Sequence, residues 1–131
     1  VTADELQTWI NEGNIEYLGE IKSVQSILKS CKYYGLPSYR EGTPRSVLEA
    51  LSTGRPIITT DAPGCRETVV HEKNGLLVPI KDPISLANAM IRLLNEKDET
   101  IEKMAKESYL IAKNKYDIDK VNQSIINIMN L

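Results

Sequence analysis

Short strand-like stretches alternate with amphipathic helical stretches along most of this 131-residue chain. The strand patterns fall at residues 33–37, 56–60 and 75–78, and apolar residues recur at helical spacing in the segments between them. Connections this short join parallel strands through tight crossovers, in which a helix returns the chain to the same end of the sheet. The sequence therefore predicts an α/β fold with a Rossmann-like parallel sheet flanked by helices.

The region before the first of these strands also carries ordered patterns. Thr2 and Glu5 have the spacing of a capping box and open a first predicted helix. Residues 15–18 alternate in polarity and predict a short strand, which Gly19 ends. Apolar spacing over residues 23–31 predicts a second helix.

Further helices are predicted over most of the remaining chain. They lie at residues 44–54, 66–70, from Pro83 onward, 100–115 and 119–131. The helix at Pro83 is defined by six apolar residues, Ile84, Leu86, Ala87, Met90, Ile91 and Leu94. The last helix carries an apolar stripe that includes Ile118, Val121 and Ile125, and we expect this stripe either to pack on its own domain or to form a homodimer.

The connection after the first of the three strands has the composition of a ligand-binding loop. Pro37 ends the strand, Gly42 lets a ligand approach the backbone, and Thr43 is suited to cap a helix that begins at Pro44. The first N–H groups of a helix have no partners inside it and, with the helix dipole, favour an anion. Parallel sheets bind ligands at the carboxyl ends of their strands, where this loop is predicted to lie.

Two glutamates near this helix predict different contacts. Glu41, beside the helix start, could accept hydrogen bonds from sugar hydroxyls, and Glu49, within the helix, could accept two from a ribose diol. A nucleotide-sugar presents sugar, diphosphate and ribose in line and would fit both. Two simpler interpretations remain open: Glu49 pairs with Arg45 one turn away, and Glu41 is only a favourable charge at a helix start.

Composition narrows the classes of partner. The net charge is only −2, so no overall positive field would draw nucleic acid. Cys31 and Cys65 match neither a disulfide framework nor a metal-ligand spacing, which favours a reducing compartment. No apolar run approaches the length of a membrane span. We therefore expect a cytoplasmic protein with no metal site and no nucleic-acid partner.

The strongest family signal is the ordered block at residues 36–79, LPSYREGTPRSVLEALSTGRPIITTDAPGCRETVVHEKNGLLVP. This block resembles the C-terminal, donor-binding domain of retaining GT-B glycosyltransferases of the group 1 type, which build bacterial surface polysaccharides. Glu41 and Glu49 match the two glutamates, separated by seven residues, that mark the family. The likeness extends from about residue 15 to the last helix.

The resemblance implies a role for each matched residue. Glu41 would be the catalytic residue and contact hydroxyls of the donor sugar. Backbone amides of Gly42 and Thr43 would face the sugar and the distal phosphate, and Glu49 would bind the ribose. Such enzymes use a UDP- or GDP-linked donor and need no metal cofactor.

Two further residues are candidates for the same pocket. Gly19, with the two residues after it, would lie against the nucleobase, and Tyr39 would line the pocket. Tyr33 and Tyr34 are expected to be packing residues. His71, the one histidine, is expected to be a solvated loop residue because no partner is placed beside it.

The resemblance also implies an incomplete C-terminal half of a GT-B fold. The family's donor domain normally begins with a further strand and helix, whose arginine and lysine contact the diphosphate, and no residue here matches them. We expect residues 1–131 to form a single, N-terminally truncated nucleotide-sugar-binding domain, with residues 115–131 crossing back to a missing N-terminal domain. That domain would bring the glycan or lipid-linked acceptor, at the inner face of the membrane. The fragment alone is expected to transfer nothing.

Two other classes of function remain open. The chain could be a stand-alone module that binds a nucleotide or nucleotide-sugar without catalysis. It could also be a structural α/β adaptor in which the glutamates are incidental, but an adaptor does not explain the ordered block.

Overall fold

The computed structural model of the chain describes residues 2–19, 23–38 and 45–116. Within these ranges, the strands are β1 (Tyr34–Leu36), β2 (Ile57–Thr60) and β3 (Gly75–Val78). The helices are α1 (Ala3–Asn11), α2 (Val24–Ser30), α3 (Arg45–Ser52), α4 (Pro83–Asn95) and α5 (Asp98–Lys115), with a short 3₁₀ helix at Arg66–Thr68. The helix predicted at 119–131 and the start of the helix predicted at Pro44 lie outside the described residues.

The three strands form one parallel sheet in the order β1-β2-β3. At its centre, Ile58 pairs with Gly35 of β1 and with Leu76 of β3. Because all three strands run in the same direction, their carboxyl ends lie along one edge of the sheet. The predicted parallel α/β sheet is therefore confirmed.

Side chains of β2 alternate between two separate cores on the two faces of the sheet. Ile57 belongs to the first core, with residues of α2, α3 and α5, whereas Ile58 belongs to the second, with residues of β3, α4 and α5. Every residue of β2 is buried. β1 was expected to be buried as well but is only partly so, because among the described residues no strand lies on its other side.

The start of the chain confirms one prediction and contradicts another. Thr2 and Glu5 form the expected capping box, with both of their reciprocal hydrogen bonds at 3.1 Å. The strand predicted at residues 15–18 is wrong, since these residues form no strand and Tyr17 and Leu18 are exposed. A strand requires a ladder of hydrogen bonds to a neighbour, and no described strand lies beside this segment.

The face that α4 buries differs from the set of apolar residues that predicted the helix. Ala89 and Leu93 are buried against the second core, with Leu86 packed beside them. Ile84 and Ile91, in contrast, are 74% and 55% exposed. At about 100° per residue these two lie well around the helix from Leu93. The helix therefore has two apolar stripes, and only one of them faces the sheet.

Local sequence signals fix the helix ends that position the rest of the fold. Gly54 follows α3 with a φ of 77°, and its N–H donates to the carbonyl of Leu51 at 2.9 Å. This is the left-handed cap predicted there. Asp82 caps α4 by accepting the N–H of Ser85 at 2.9 Å, directly ahead of the proline that opens the helix.

Candidate functional site

The carboxyl ends of the three strands border a pocket of about 370 Å³. Its walls come from the residues that end or follow each strand and from the start of α4. They are Pro37, Thr60, Val78, Pro79, Lys81, Asp82, Pro83 and Leu86. This is the edge at which parallel α/β sheets bind ligands.

Threonines of β2 hold the residues at which the connection from β1 to α3 begins. Thr59 donates its hydroxyl proton to the carbonyl oxygen of Leu36 at 2.8 Å, and Thr60 donates to the carbonyl oxygen of Ser38. Both threonines are buried. Because Ser38 lies beyond the end of β1, its bond to Thr60 also fixes the first residues of the connection relative to the sheet.

The other end of the same connection is tied to β1. The Tyr34 hydroxyl donates to Oγ of Ser46, in the first turn of α3, at 2.7 Å. On the core side of this helix, Val47, Ala50 and Leu51 are fully buried. Tyr34 therefore does more than pack, since it supplies a directional contact between the sheet and the helix start.

Glu49 lies one turn into α3, with its side chain 30% exposed. Its Oε1 is 3.4 Å from Nε of Arg45, so the ion pair left open by the sequence is present. An exposed pair at this spacing contributes roughly 0.3–0.5 kcal/mol. A carboxylate offers about four lone-pair sites on its two oxygens, so this contact leaves Glu49 able to accept hydrogen bonds from a ligand.

The remaining predicted site residues divide into one that is described and four that are not. Gly19 has a φ of 68°, and no heavy atom lies within 4 Å of the place a Cβ would take. Its backbone is therefore left-handed, with open space beside it, at the end of the exposed segment at residues 15–18. Glu41, Gly42, Thr43 and Tyr39 lie outside the described residues, and their roles stay predictions.

His71 has a structural contact that the sequence did not indicate. Its side chain is exposed as expected, but Nδ1 accepts the N–H of Leu77 in β3 at 3.0 Å. Its Nε2 lies 3.8 Å from Oε1 of Glu72, which also pairs with Arg92 at 3.1 Å. The histidine therefore contributes a side-chain hydrogen bond to β3, because the turn between His71 and Leu77 brings the two residues together.

Two features are absent from the part of the chain that the structure describes. No group of three or more His, Cys, Asp or Glu side chains is gathered there as metal ligands would be. No helix there is both long and apolar enough to cross a membrane. Neither finding extends to Val1 or to residues 20–22, 39–44 and 117–131.

A parallel sheet flanked by helices, with a pocket at its carboxyl edge, is the arrangement of a Rossmann-like domain. The chain matches the family model described as Glycosyl transferases group 1 over residues 2–96. This match covers more than half of the chain, and the protein therefore belongs to the group 1 glycosyltransferase family.

Curated relatives fall in the same family. The chain is 35% identical over 88 residues to N,N'-diacetylbacillosaminyl-diphospho-undecaprenol alpha-1,3-N-acetylgalactosaminyltransferase of Campylobacter jejuni, a match that covers 67% of this chain and 23% of that protein. It is 38% identical over 80 residues to UDP-Gal:alpha-D-GlcNAc-diphosphoundecaprenol alpha-1,3-galactosyltransferase of Escherichia coli, covering 61% of this chain and 21% of that protein. The matched region thus spans less than a quarter of each relative.

Solved structures confirm the fold. The Anabaena protein Alr3699/HepE in complex with UDP-glucose superposes with a TM-score of 0.78 at 26% identity, covering 97% of this chain and 36% of that one. Its complex with UDP gives a TM-score of 0.81 at 25% identity. The three-stranded sheet and its helices therefore correspond to the Rossmann-like C-terminal half of a GT-B fold, as predicted.

Proposed function

We propose that this chain is the donor-binding part of a glycosyltransferase that transfers a sugar from a nucleotide-sugar to a glycan or lipid-linked acceptor in surface polysaccharide synthesis. The family match over residues 2–96 carries this proposal. Both relatives are named for transfer to a sugar linked through diphosphate to undecaprenol, which supports a lipid-linked acceptor. The Anabaena complexes with UDP and UDP-glucose support a UDP-linked donor.

Within this function, the connection from β1 to α3 holds the donor. Glu41 contacts hydroxyls of the donor sugar, the amides of Gly42 and Thr43 face the sugar and the distal phosphate, and Glu49 accepts hydrogen bonds from the ribose. Free amides at a helix start, with basic side chains, neutralise the leaving diphosphate without a metal ion. The pocket at the carboxyl ends of the strands supports this placement, because the connection leaves β1 beside it.

The finer features of the reaction rest on the family likeness. The transferred sugar is a hexose or an N-acetylhexosamine, and its anomeric configuration is retained. The acceptor is bound by a further domain at the inner face of the membrane, so the chain alone binds the donor without transferring it. Gly19 lies against the base, and Tyr39 lines the pocket.

A panel of nucleotides tests the proposal. The chain is titrated with UDP, GDP, UDP-glucose and UDP-N-acetylglucosamine while its amide resonances are followed. We expect saturable shifts at Gly19, Gly42, Thr43 and Glu49, with one base preferred over the other. Absence of shifts with all four ligands at millimolar concentration, or shifts confined to residues far from α3, would contradict the proposed donor site.

A further inference from the structure

We propose that Tyr34 is a positioning residue for donor binding, whose hydroxyl acts through Ser46 to orient the start of α3 so that Glu49 meets the ribose. This inference rests on the proposed function, in which Glu49 is the ribose ligand. In this role Tyr34 acts on Glu49 through α3 and not on the donor directly.

The contact lies on the path from the sheet to Glu49. The Tyr34 hydroxyl donates to Oγ of Ser46 at 2.7 Å, which is the preferred length for a hydrogen bond between hydroxyls. Ser46 and Glu49 are three residues apart, so they lie on the same side of α3. A change in the helix at Ser46 therefore moves the carboxylate of Glu49.

Apolar packing alone leaves this orientation less well defined. Val47, Ala50 and Leu51 bury the core side of α3, but hydrophobic contacts have no preferred direction. A hydrogen bond is directional, and weakens steeply when its angle is poor. The Tyr34 contact therefore adds a constraint on rotation of α3 about its axis.

The far end of α3 is fixed by bonds of its own. The carbonyl oxygen of Glu49 accepts the hydroxyls of Ser52 and Thr53 at 3.0 and 2.8 Å. The left-handed residue Gly54 then ends the helix. These contacts lie within the helix and its end, whereas the Tyr34 contact joins the helix to the sheet on the N-terminal side of Glu49.

The carboxylate of Glu49 has little else to direct it among the described residues. Its pair with Arg45 is 3.4 Å long, and the arginine side chain is 70% exposed. Such a pair is weak and competes with water. The direction of the carboxylate therefore depends mainly on the helix that carries it.

The test compares two tyrosines that follow one another in the sequence. Tyr34→Phe removes the hydroxyl that reaches α3, while Tyr33→Phe removes one from a side chain packed against the opposite, second core. The dissociation constants of UDP and of 2′-deoxy-UDP are measured for each variant and for the wild-type chain. The 2′-hydroxyl donates to Glu49 in the proposed site, so the wild type should bind UDP about tenfold more tightly than the deoxy form.

We expect Tyr34→Phe to reduce the preference for UDP over 2′-deoxy-UDP to about threefold or less, chiefly by lowering the affinity for UDP. Tyr33→Phe should retain the preference of the wild type. Ser46→Ala should repeat the effect of Tyr34→Phe, because it removes the other partner of the same bond. An equal loss of affinity for both nucleotides in Tyr34→Phe, or an unchanged preference, would overturn the inference.

A ligand-free measurement separates this inference from the proposed function. The side-chain carboxyl ¹³C resonance of Glu49 should move in Tyr34→Phe and stay in place in Tyr33→Phe. If the wild type binds neither nucleotide, the proposed function fails for this chain, and the Glu49 resonance still decides whether Tyr34 orients it. An unmoved resonance in Tyr34→Phe would contradict the positioning role, whatever the chain binds.

Discussion

Thr60, the last residue of β2, donates its hydroxyl proton to the carbonyl oxygen of Ser38, two residues beyond the end of β1. Thr59 makes the corresponding bond to Leu36, which is already its partner in the β1–β2 ladder. The two neighbouring threonines therefore make the same kind of bond with different consequences. One reinforces the sheet, and the other holds the start of the connection that leads to α3.

Replacing each threonine by valine should separate these consequences. Each variant removes one hydroxyl donor from a carbonyl oxygen, which costs about 0.5–1.5 kcal/mol of unfolding free energy. Thr60→Val should also weaken UDP-glucose binding about threefold or more, whereas Thr59→Val should change it less than about twofold. Urea unfolding and calorimetric titration measure the two effects. Equal losses of affinity in both variants would show that Thr60 has no special relation to the donor site.

Truncation to alanine should have different effects on the free energy of unfolding in the two apolar stripes of α4. Leu93→Ala should lower the free energy of unfolding by about 2–4 kcal/mol, because it leaves a cavity in the second core. Ile91→Ala should change it by less than about 0.5 kcal/mol, because that side chain is mostly exposed. Urea unfolding of the two variants checks this difference. A large loss in Ile91→Ala would instead place Ile91 in a packed interface.

Two strand glycines differ in the room beside them. A Cβ at Gly75 would lie 1.7 Å from the carbonyl oxygen of Ile57, whereas at Gly35 the nearest atom would be 3.9 Å away. Gly75→Ala should therefore cost more than about 3 kcal/mol or prevent folding, since the clash is with backbone of the neighbouring strand. Gly35→Ala should be tolerated. Circular dichroism during heating distinguishes the two, and similar melting temperatures would contradict the close packing of β2 on β3.

The helix cap formed by Asp82 should make the stability of the fold depend on pH. Its pKa lies below the usual 3.8 because it accepts hydrogen bonds from the backbone and the hydroxyl of Ser85. Because the pKa of Asp82 is lower in the folded than in the unfolded chain, the charged cap stabilises the fold fully at a pH above the unfolded pKa. This stabilisation is lost as the pH falls through the folded pKa.

Melting temperatures of the wild type and Asp82→Ala, followed from neutral pH to below pH 3.8, test this cap. The variant should melt lower at neutral pH, and the two curves should converge in acid. Asp82→Asn is the matched control, because asparagine also caps helices but does not titrate. A gap between wild type and Asp82→Ala that persists unchanged in acid would contradict a charged cap.

Features set by neighbouring residues in the sequence were predictable. The capping box of Thr2 and Glu5, the left-handed Gly54 and the start of α4 at Pro83 each depend on a few adjacent residues, and each is confirmed. The strand at residues 15–18 and the buried face of α4 depend on what lies beside them in space. Alternation and apolar spacing do not carry that information. The strand prediction is therefore wrong, and apolar spacing located α4 without distinguishing its buried stripe from its exposed one.

The same distinction applies to the candidate site. The pair between Arg45 and Glu49 follows from helical spacing and could be anticipated. The contact between Tyr34 and Ser46 joins a strand to a helix across 12 residues, and nothing in the local pattern indicates that the two side chains meet. Family resemblance does not supply it either, because it names ligand contacts and not the residues that orient them.

The central claim is that α3 presents Glu49 to the ribose of a nucleotide-sugar, and the affinity of Glu49→Gln for UDP-glucose tests it most directly. Glu102→Gln is the control, since it makes the same change at an exposed position of α5. We predict that the wild type and Glu102→Gln bind UDP-glucose equally and that Glu49→Gln binds it about tenfold more weakly, while all three melt at similar temperatures. Equal affinity in Glu49→Gln, or no binding by the wild type at millimolar concentration, would contradict the claim.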